Sequence, residues 1–354
     1  MKNDLNYAVE LIRKADGILI TAGAGMSVDS GLPDFRSVGG FWNAYPMFKG
    51  RNINFEDIAT PLAYETHQEL AYWFYGHRLS QYRATIPHEG YQILKRWAES
   101  KPYGYFVFTS NVDGHFQKAG FEEGRIYEVH GTLERLQCVH NCRDLSWSAK
   151  EFQPVVDNEK LRLLSEPPRC PYCQRLARQN VLMFDDYFYS SNYQNLKRNK
   201  LDLWLKEVQN LVVIELGAGK AIPTVRRFSE RTAKAKKGGF IRINPQDAGV
   251  PKMHFLSLEM KALDALKAID SLLNPSQQAV EYWKIFAKLP SANKLAATSD
   301  TTKMPFLMER RCFNISSKRL KNALKTDRTL LWAWQMVFPI ATDLKKRVNW
   351  QCNY

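Results

Sequence analysis

The sequence predicts an α/β protein built on a doubly wound parallel sheet, with a helical insertion, a small cysteine-bearing module and a basic helical C-terminal extension. Three observations carry this. Two apolar runs, Ile18-Leu19-Ile20 and Leu211-Val212-Val213-Ile214, each pass into a glycine loop, Gly23-Ala24-Gly25 and Gly217-Ala218-Gly219. Two close cysteine pairs stand between those junctions, and beyond position 275 the composition turns strongly basic.

Residues 4–15 read as an amphipathic helix with acids among its apolar positions, so a secretory signal is not expected. The run 17–36 then gives strand, loop and helix start. Glycines at 23 and 25 let backbone N–H groups approach a phosphate with no Cβ in the way. The same Gly-Ala-Gly also fits a plain tight turn, and the third glycine of G-x-G-x-x-G is replaced by Val28. Ser27, the turn Ser30-Gly31-Leu32-Pro33 and Asp34-Phe35-Arg36 add an acid, an aromatic ring and a base beside the loop. From 39 to 98 aromatics such as Trp73, Phe74, Tyr75, Tyr91 and Trp97 recur at helical spacing, which marks a helical insertion whose rings are mostly core.

A strand over 104–109 ends in Ser110-Asn111-Val112-Asp113, where an open parallel sheet places ligand-contacting groups. An Asx turn capping the next helix accounts for the same residues. Strand 126–129 leads to His130-Gly131, a histidine suited to general-base work or to a structural hydrogen bond. Cys138 and Cys142, then Cys170 and Cys173, form two pairs separated by the 27 residues from Arg143 to Arg169. That spacing fits a closed, structural zinc site, and without an export signal metal is favoured over disulfides. A strand over 180–184 precedes Asp185-Asp186, a helix lies around 201–208, strand 238–244 ends at Asn244, and a helix over 258–273 closes the sheet.

The 354 residues suffice for one large core with a smaller lobe or for two to three modest domains. With 45% hydrophobic and 24% charged residues and no apolar run of about eighteen, a cytoplasmic protein with no membrane span is expected. Of the net charge of +14, residues 276–354 supply +9, from 14 basic against five acidic side chains. Such a face attracts nucleic acid, anionic lipid or an acidic protein, and it is equally compatible with plain solvation.

Over roughly 4–275 the chain resembles the sirtuins, of bacterial type. The matching elements stand in family order: Gly23-Ala24-Gly25-Met26-Ser27, Gly31-Leu32-Pro33-Asp34-Phe35-Arg36, Thr109-Ser110-Asn111-Val112-Asp113, His130-Gly131, the four cysteines, and the loops at Gly217 and Asn244. The resemblance implies a catalytic domain over 1–275. Within it, Rossmann-like parts fall at 1–36, 104–135 and 180–275, a helical insertion at 37–103 and a zinc module at 136–179; the basic helical extension is 276–354. It implies that NAD and an acylated protein lysine meet in a cleft between the lobes. Ala22, Gly23, Ala24 and Gly25 would line the cofactor, Ser27 with Arg36 would hold its phosphate side, and Asp34 and Phe35 would complete the pocket over nicotinamide. Asn111, beside Ser110, would order ribose and water, Asp113 would bind the carboxamide, and Gly217, Gly219 and Asn244 would sit by the phosphates and adenosine. The implied chemistry is attack of the acyl oxygen on ribose C1′ as nicotinamide leaves, with His130 as general base and an acylated ADP-ribose as product. Two alternatives stay open: an NAD-consuming hydrolase or ADP-ribosyltransferase, and a non-catalytic NAD or ADP-ribose sensor acting through the basic tail.

The chain departs from the family at three places. Ser110 replaces the usual Gln, Phe184-Asp185-Asp186 replaces Phe-Gly-Glu on the substrate strand, and Gly217-Ala218-Gly219-Lys220 replaces the Gly-Thr-Ser form, with Lys220 able to compensate by charge. Within the insertion, Tyr75 and Arg78 stand three apart and share a helix face. This Tyr-x-x-Arg resembles the pair by which one sirtuin subgroup recognises succinyl- and malonyl-lysine in place of acetyl-lysine. A core role for Tyr75 and a surface pairing of Arg78 with Glu69 is the competing reading.

Overall fold

A computed structural model describes residues 2–34, 40–49, 53–251 and 255–274. The chain divides into two units, Met1–Leu273 and Asn274–Tyr354. The extension expected over 276–354 lies outside the described residues, as do Phe35 and Arg36.

In chain order the strands are β1 (Gly17–Ala22), β2 (Tyr105–Thr109), β3 (Ile126–Glu128), β4 (Gly131–Cys138), β5 (Ser146–Ser148), β6 (Val156–Asp157), β7 (Arg162–Leu163), β8 (Ala177–Val181), β9 (Leu211–Leu216), β10 (Gly239–Ile243) and β11 (Leu256–Leu258). Six of them form one parallel sheet in the order β11-β10-β9-β1-β2-β3. β1, β2 and β9 are buried along their whole length, which is why they read as unbroken apolar runs. The chain leaves β1 towards β2 and later returns to β1's other side as β9, so the topological switch point lies between β1 and β9. Register then aligns the strand ends: Ala22 sits opposite Thr109 and Leu216, Leu216 opposite Ile243, and Thr109 opposite Glu128. Every loop that carries an expected site residue of the sheet therefore leaves at one level.

One face of the sheet is covered by the helices Lys2–Lys14, Glu89–Glu99 and Ala262–Leu273, through side chains such as Ile12, Trp97 and Leu266. The helices Asn192–Glu207 and Thr224–Lys236 cover the other, through Leu201, Trp204 and Phe228. Tyr91 and Trp97, read in the sequence as part of the insertion, thus belong to the core of the sheet. A separate apolar cluster joins the insertion, with Phe48, Trp73, Phe74 and Leu79, to Leu133, Val181 and Met183 of the cysteine-bearing part. The strand expected over 180–184 is instead β8, and it pairs antiparallel with β4 in a three-stranded sheet, outside the parallel one. The sheet closes with β11 before the helix Ala262–Leu273, where a single helix was expected.

His88 fastens one face of this core. It caps the helix Glu89–Glu99 by accepting a hydrogen bond from Gly90 N on Nδ1, which puts the ring proton on Nε2, 2.8 Å from Met26 O. Burial lowers the histidine's pKa. The neutral ring's contribution to stability is therefore intact above the unfolded value of about 6.5 and is lost as the pH falls through it towards the lower folded value. Between about pH 7.5 and about pH 5 the melting temperature of the wild type should fall further than that of His88→Asn, whose amide caps without titrating. Parallel curves would rule His88 out as the source.

Candidate active site

The glycine loops after β1 and β9 cross at the switch point. Gly25 N donates to Gly217 O at 3.0 Å, and Gly217 holds φ at +57°. A Cβ on Gly23 would lie 2.7 Å from Gly217 O, and one on Gly25 would lie 2.7 Å from Gly217 Cα. A Cβ on Gly217 would lie 2.3 Å from Gly25 C. All three clashes are with backbone, so glycine is required at each.

A polar cluster hangs from this crossing. Ser27 Oγ donates to Asp113 Oδ2 at 2.6 Å, and it accepts from Asn111 Nδ2 at 3.2 Å and from the Tyr91 hydroxyl at 3.0 Å. The serine hydroxyl is then fully used, with one bond given and two received. Asn111 Nδ2 also donates to Gly23 O, and Asp113 Oδ1 accepts from His115 N, both at 3.0 Å. Burial pushes the Tyr91 phenol up, which keeps its proton in place for Ser27. Tyr91 escaped the sequence reading because it occupies an apolar helix face and looks like any core aromatic.

Beyond the crossing, Asn244 Nδ2 donates to Ala218 O at 3.1 Å, and its Oδ1 accepts from Gln246 N and Asp247 N. Arg226 donates to the carbonyls of Ala218, Asp247 and Gly249. Lys220 pairs with Asp247 at 2.6 Å.

These groups open into a cavity of about 960 Å³. Gly23, Ala24, Gly25, Ser27 and Asp34 line one side of it, and Ser110, Asn111, Asp113 and His130 line another. Gly217, Gly219 and Asn244 line it beside the crossing, while Tyr75, Arg78 and Phe184 line the part formed with the insertion. Ala22 is not in the lining. It ends β1 fully buried, its carbonyl accepting from Thr109 Oγ1 and Ser110 N. His130 is buried, and its main chain is held by Leu182 N donating to His130 O at 2.9 Å.

Tyr75 and Arg78 share a buried face of the helix Gln68–Ala84. Arg78 Nη2 donates to the Tyr82 hydroxyl at 3.0 Å, and the guanidinium lies 5.3 Å from the Phe74 and Tyr82 ring centres and 5.8 Å from that of Tyr75. Arg78 is thus a cavity residue in an aromatic box, away from the surface position that a pairing with Glu69 requires. Burial pushes Tyr75 up to about 12, against the pull of the Arg78 charge, so its phenol remains a donor. Tyr82 was legible only as the i,i+4 partner of Arg78.

The family's Phe-Gly-Glu glycine position is held here by Asp185, at φ +53°, a region that favours glycine. Asp186 turns inward to a bidentate pair with Arg178, both contacts 2.7 Å and both side chains fully buried.

The four cysteine sulfurs lie within 4.8 Å of one another, with Cys138 to Cys173 at 3.7 Å and Cys142 to Cys170 at 3.6 Å. Tetrahedral zinc with Zn–S of about 2.3 Å separates its sulfurs by about 3.8 Å, so the four thiolates fit that ion.

A doubly wound sheet with crossed glycine loops at its switch point and an inserted four-cysteine module defines a nucleotide-cleft α/β protein with a structural metal site. The Sir2 family profile matches residues 23–214, and the chain belongs to that family. It is 31% identical to the NAD-dependent protein deacetylase 2 of Caldanaerobacter subterraneus over 63% of this chain and 80% of that protein. It is 27% identical to the NAD-dependent protein deacylase of Aquifex aeolicus over 71% of this chain and 93% of that protein. A Sir2 homologue solved with NAD shares the fold at a TM-score of 0.55 and 21% identity, over 76% of this chain and 94% of that one.

Two outcomes follow from the geometry. Gly217→Ala should cost about 3 kcal/mol, from positive φ together with overpacking against backbone, whereas Gly219→Ala, with nothing within 4 Å of its Cβ, should be near neutral in denaturant titration. Equal effects would show that the crossing is not tight. Metal analysis should find about one equivalent of zinc per chain, and Cys170→Ser should release it with unfolding of the module. A folded, metal-free protein would overturn the zinc assignment.

Proposed function

We propose that this protein is an NAD-dependent protein-lysine deacylase that favours acidic acyl groups. One observation carries the reading: a single cavity holds the crossed glycine loops, the Asn111–Ser27–Asp113 cluster, His130 and the Tyr75–Arg78 pair. NAD supplies a ribose C1′ whose bond to nicotinamide can be exchanged for one to an acyl oxygen. The glycine loops offer backbone without Cβ atoms to its phosphates. Asp113 and Asn111, whose directions are fixed by Ser27, orient the nicotinamide end. His130 accepts the proton of a ribose hydroxyl at a ring nitrogen, in a cavity whose lining also includes the apolar Val181 and Met183. On the insertion side, Arg78 presents a guanidinium fork and Tyr75 a protonated phenol, the donor set for a carboxylate at the tip of an acyl chain. The polyanion-binding role of 276–354 rests on its charge alone.

Mass spectrometry of the products over a panel of acetyl, malonyl and succinyl peptides tests both parts. The wild type should yield acyl-ADP-ribose and prefer the succinyl peptide, and Arg78→Met should lose about 1.5–3 kcal/mol of transition-state stabilisation on the succinyl peptide alone. Free ADP-ribose without acyl product across the panel would make the protein an NAD hydrolase. Faster turnover of acetyl-lysine would reject acidic-acyl selection and leave deacylation standing.

A further inference from the structure

We propose that Lys118 is a positioning residue for acyl selection: it fastens the last turn of the helix Gln68–Ala84 to the segment that carries Asp113. The proposal rests on the acidic-acyl reading of Tyr75 and Arg78.

A helix ends with carbonyls that have no partner inside it, and a cation there also meets the negative end of the dipole. Lys118 Nζ donates to Tyr82 O at 2.8 Å, Arg83 O at 2.5 Å and Thr85 O at 2.9 Å, which uses all three of its donors. Lys118 is itself the last residue of the short helix His115–Lys118, whose first N–H is bonded to Asp113 Oδ1. Six residues of chain thus join the carboxylate of the cofactor side to the end of the acyl-side helix. Arg83 holds the opposite side of the same turn, with a fork to Glu134 and bonds to the carbonyls of Ala149 and Phe152.

The turn so clamped contains Tyr82, whose hydroxyl accepts from Arg78 Nη2 and whose ring lies 5.3 Å from the guanidinium carbon. The route from Lys118 to the cavity therefore runs through the main chain of Tyr82, then its phenol, then Arg78. Lys118 is an exposed residue, so water can take over its three bonds when it is removed. The fold then survives, and what is lost is the fixed direction of Arg78.

The test compares kcat/KM on succinyl and acetyl peptides for wild type, Lys118→Met and Lys118→Arg. In Lys118→Met the succinyl-to-acetyl ratio should drop about five- to tenfold through KM for the succinyl peptide, with KM for NAD changed less than about twofold. Lys118→Arg, which again brings several donors on a cation, should keep the ratio within about twofold of wild type. An unchanged ratio in Lys118→Met, or equal losses on both peptides, overturns the positioning role while acidic-acyl selection stands. A wild type with no succinyl preference overturns that selection, and this proposal with it.

Discussion

The backbone contact between the loops at Gly23–Gly25 and Gly217 is the constraint on which the rest of the site depends. It is a contact of main chain with main chain, so no rotamer change can relieve an added Cβ. The four-residue helix Gly25–Val28 begins at the crossing, and it carries Ser27 to the point where Asn111 and Asp113 converge. The crossing also explains the missing third glycine. The close approach here is loop to loop, Val28 lies 42% exposed, and no neighbour demands its Cβ be removed.

Around the crossing the rims are stiffened by buried ions, each matched by opposite charge. Arg178 with Asp186 fixes the loop after β8, and Arg242 is held by Glu215 at 2.5 Å and Glu230 at 2.6 Å. Breaking such a pair would strand a charge out of water, at a cost of about 3–5 kcal/mol, so the pairs hold these elements in place. Lys220 and Asp247 differ. Their pair is exposed, with Lys220 at 69%, and contributes at most about 1 kcal/mol, so it can be exchanged at little cost. Buried ion pairs thus hold β8, β9 and β10, and the exposed Lys220–Asp247 pair leaves the loop after β9 able to rearrange.

The parallel sheet was legible because its strands are buried on both faces and cannot alternate, and the glycine loops because only glycine fits them. β8 was displaced in the reading for the opposite reason. Ala177-Arg178-Gln179-Asn180-Val181 is fully buried yet mostly polar, each side chain matched across space: Arg178 to Asp186, Gln179 to Tyr64, Asn180 to Gln137. No local pattern announces a strand whose burial depends on partners eight to 115 residues away. The apolar Val181-Leu182-Met183-Phe184 drew the expected strand forward by three residues. Tyr91 and Lys118 were hidden in the same sense, since one reads as core and the other as surface until their acceptors are located.

Two strands, β4 and β8, join the cysteine module to the segment of His130. β4 starts at Gly131, directly after His130, and ends at Cys138, and a bulge between Thr132 and Leu136 matches its eight residues to the five of β8, a span of about 14 Å. At its first residue, Gly131, φ is +75° and a Cβ would lie 2.1 Å from Asn180 O, so β8 passes against the backbone beside His130. Leu182 N then bonds to His130 O, one residue past the end of β8. The second cysteine pair, Cys170 and Cys173, precedes β8 as Cys138 ends β4, so closing the four thiolates on one ion fixes both strands at their far ends. Closing the four thiolates on one ion thereby holds the far ends of the two strands whose near ends meet at the main chain of His130.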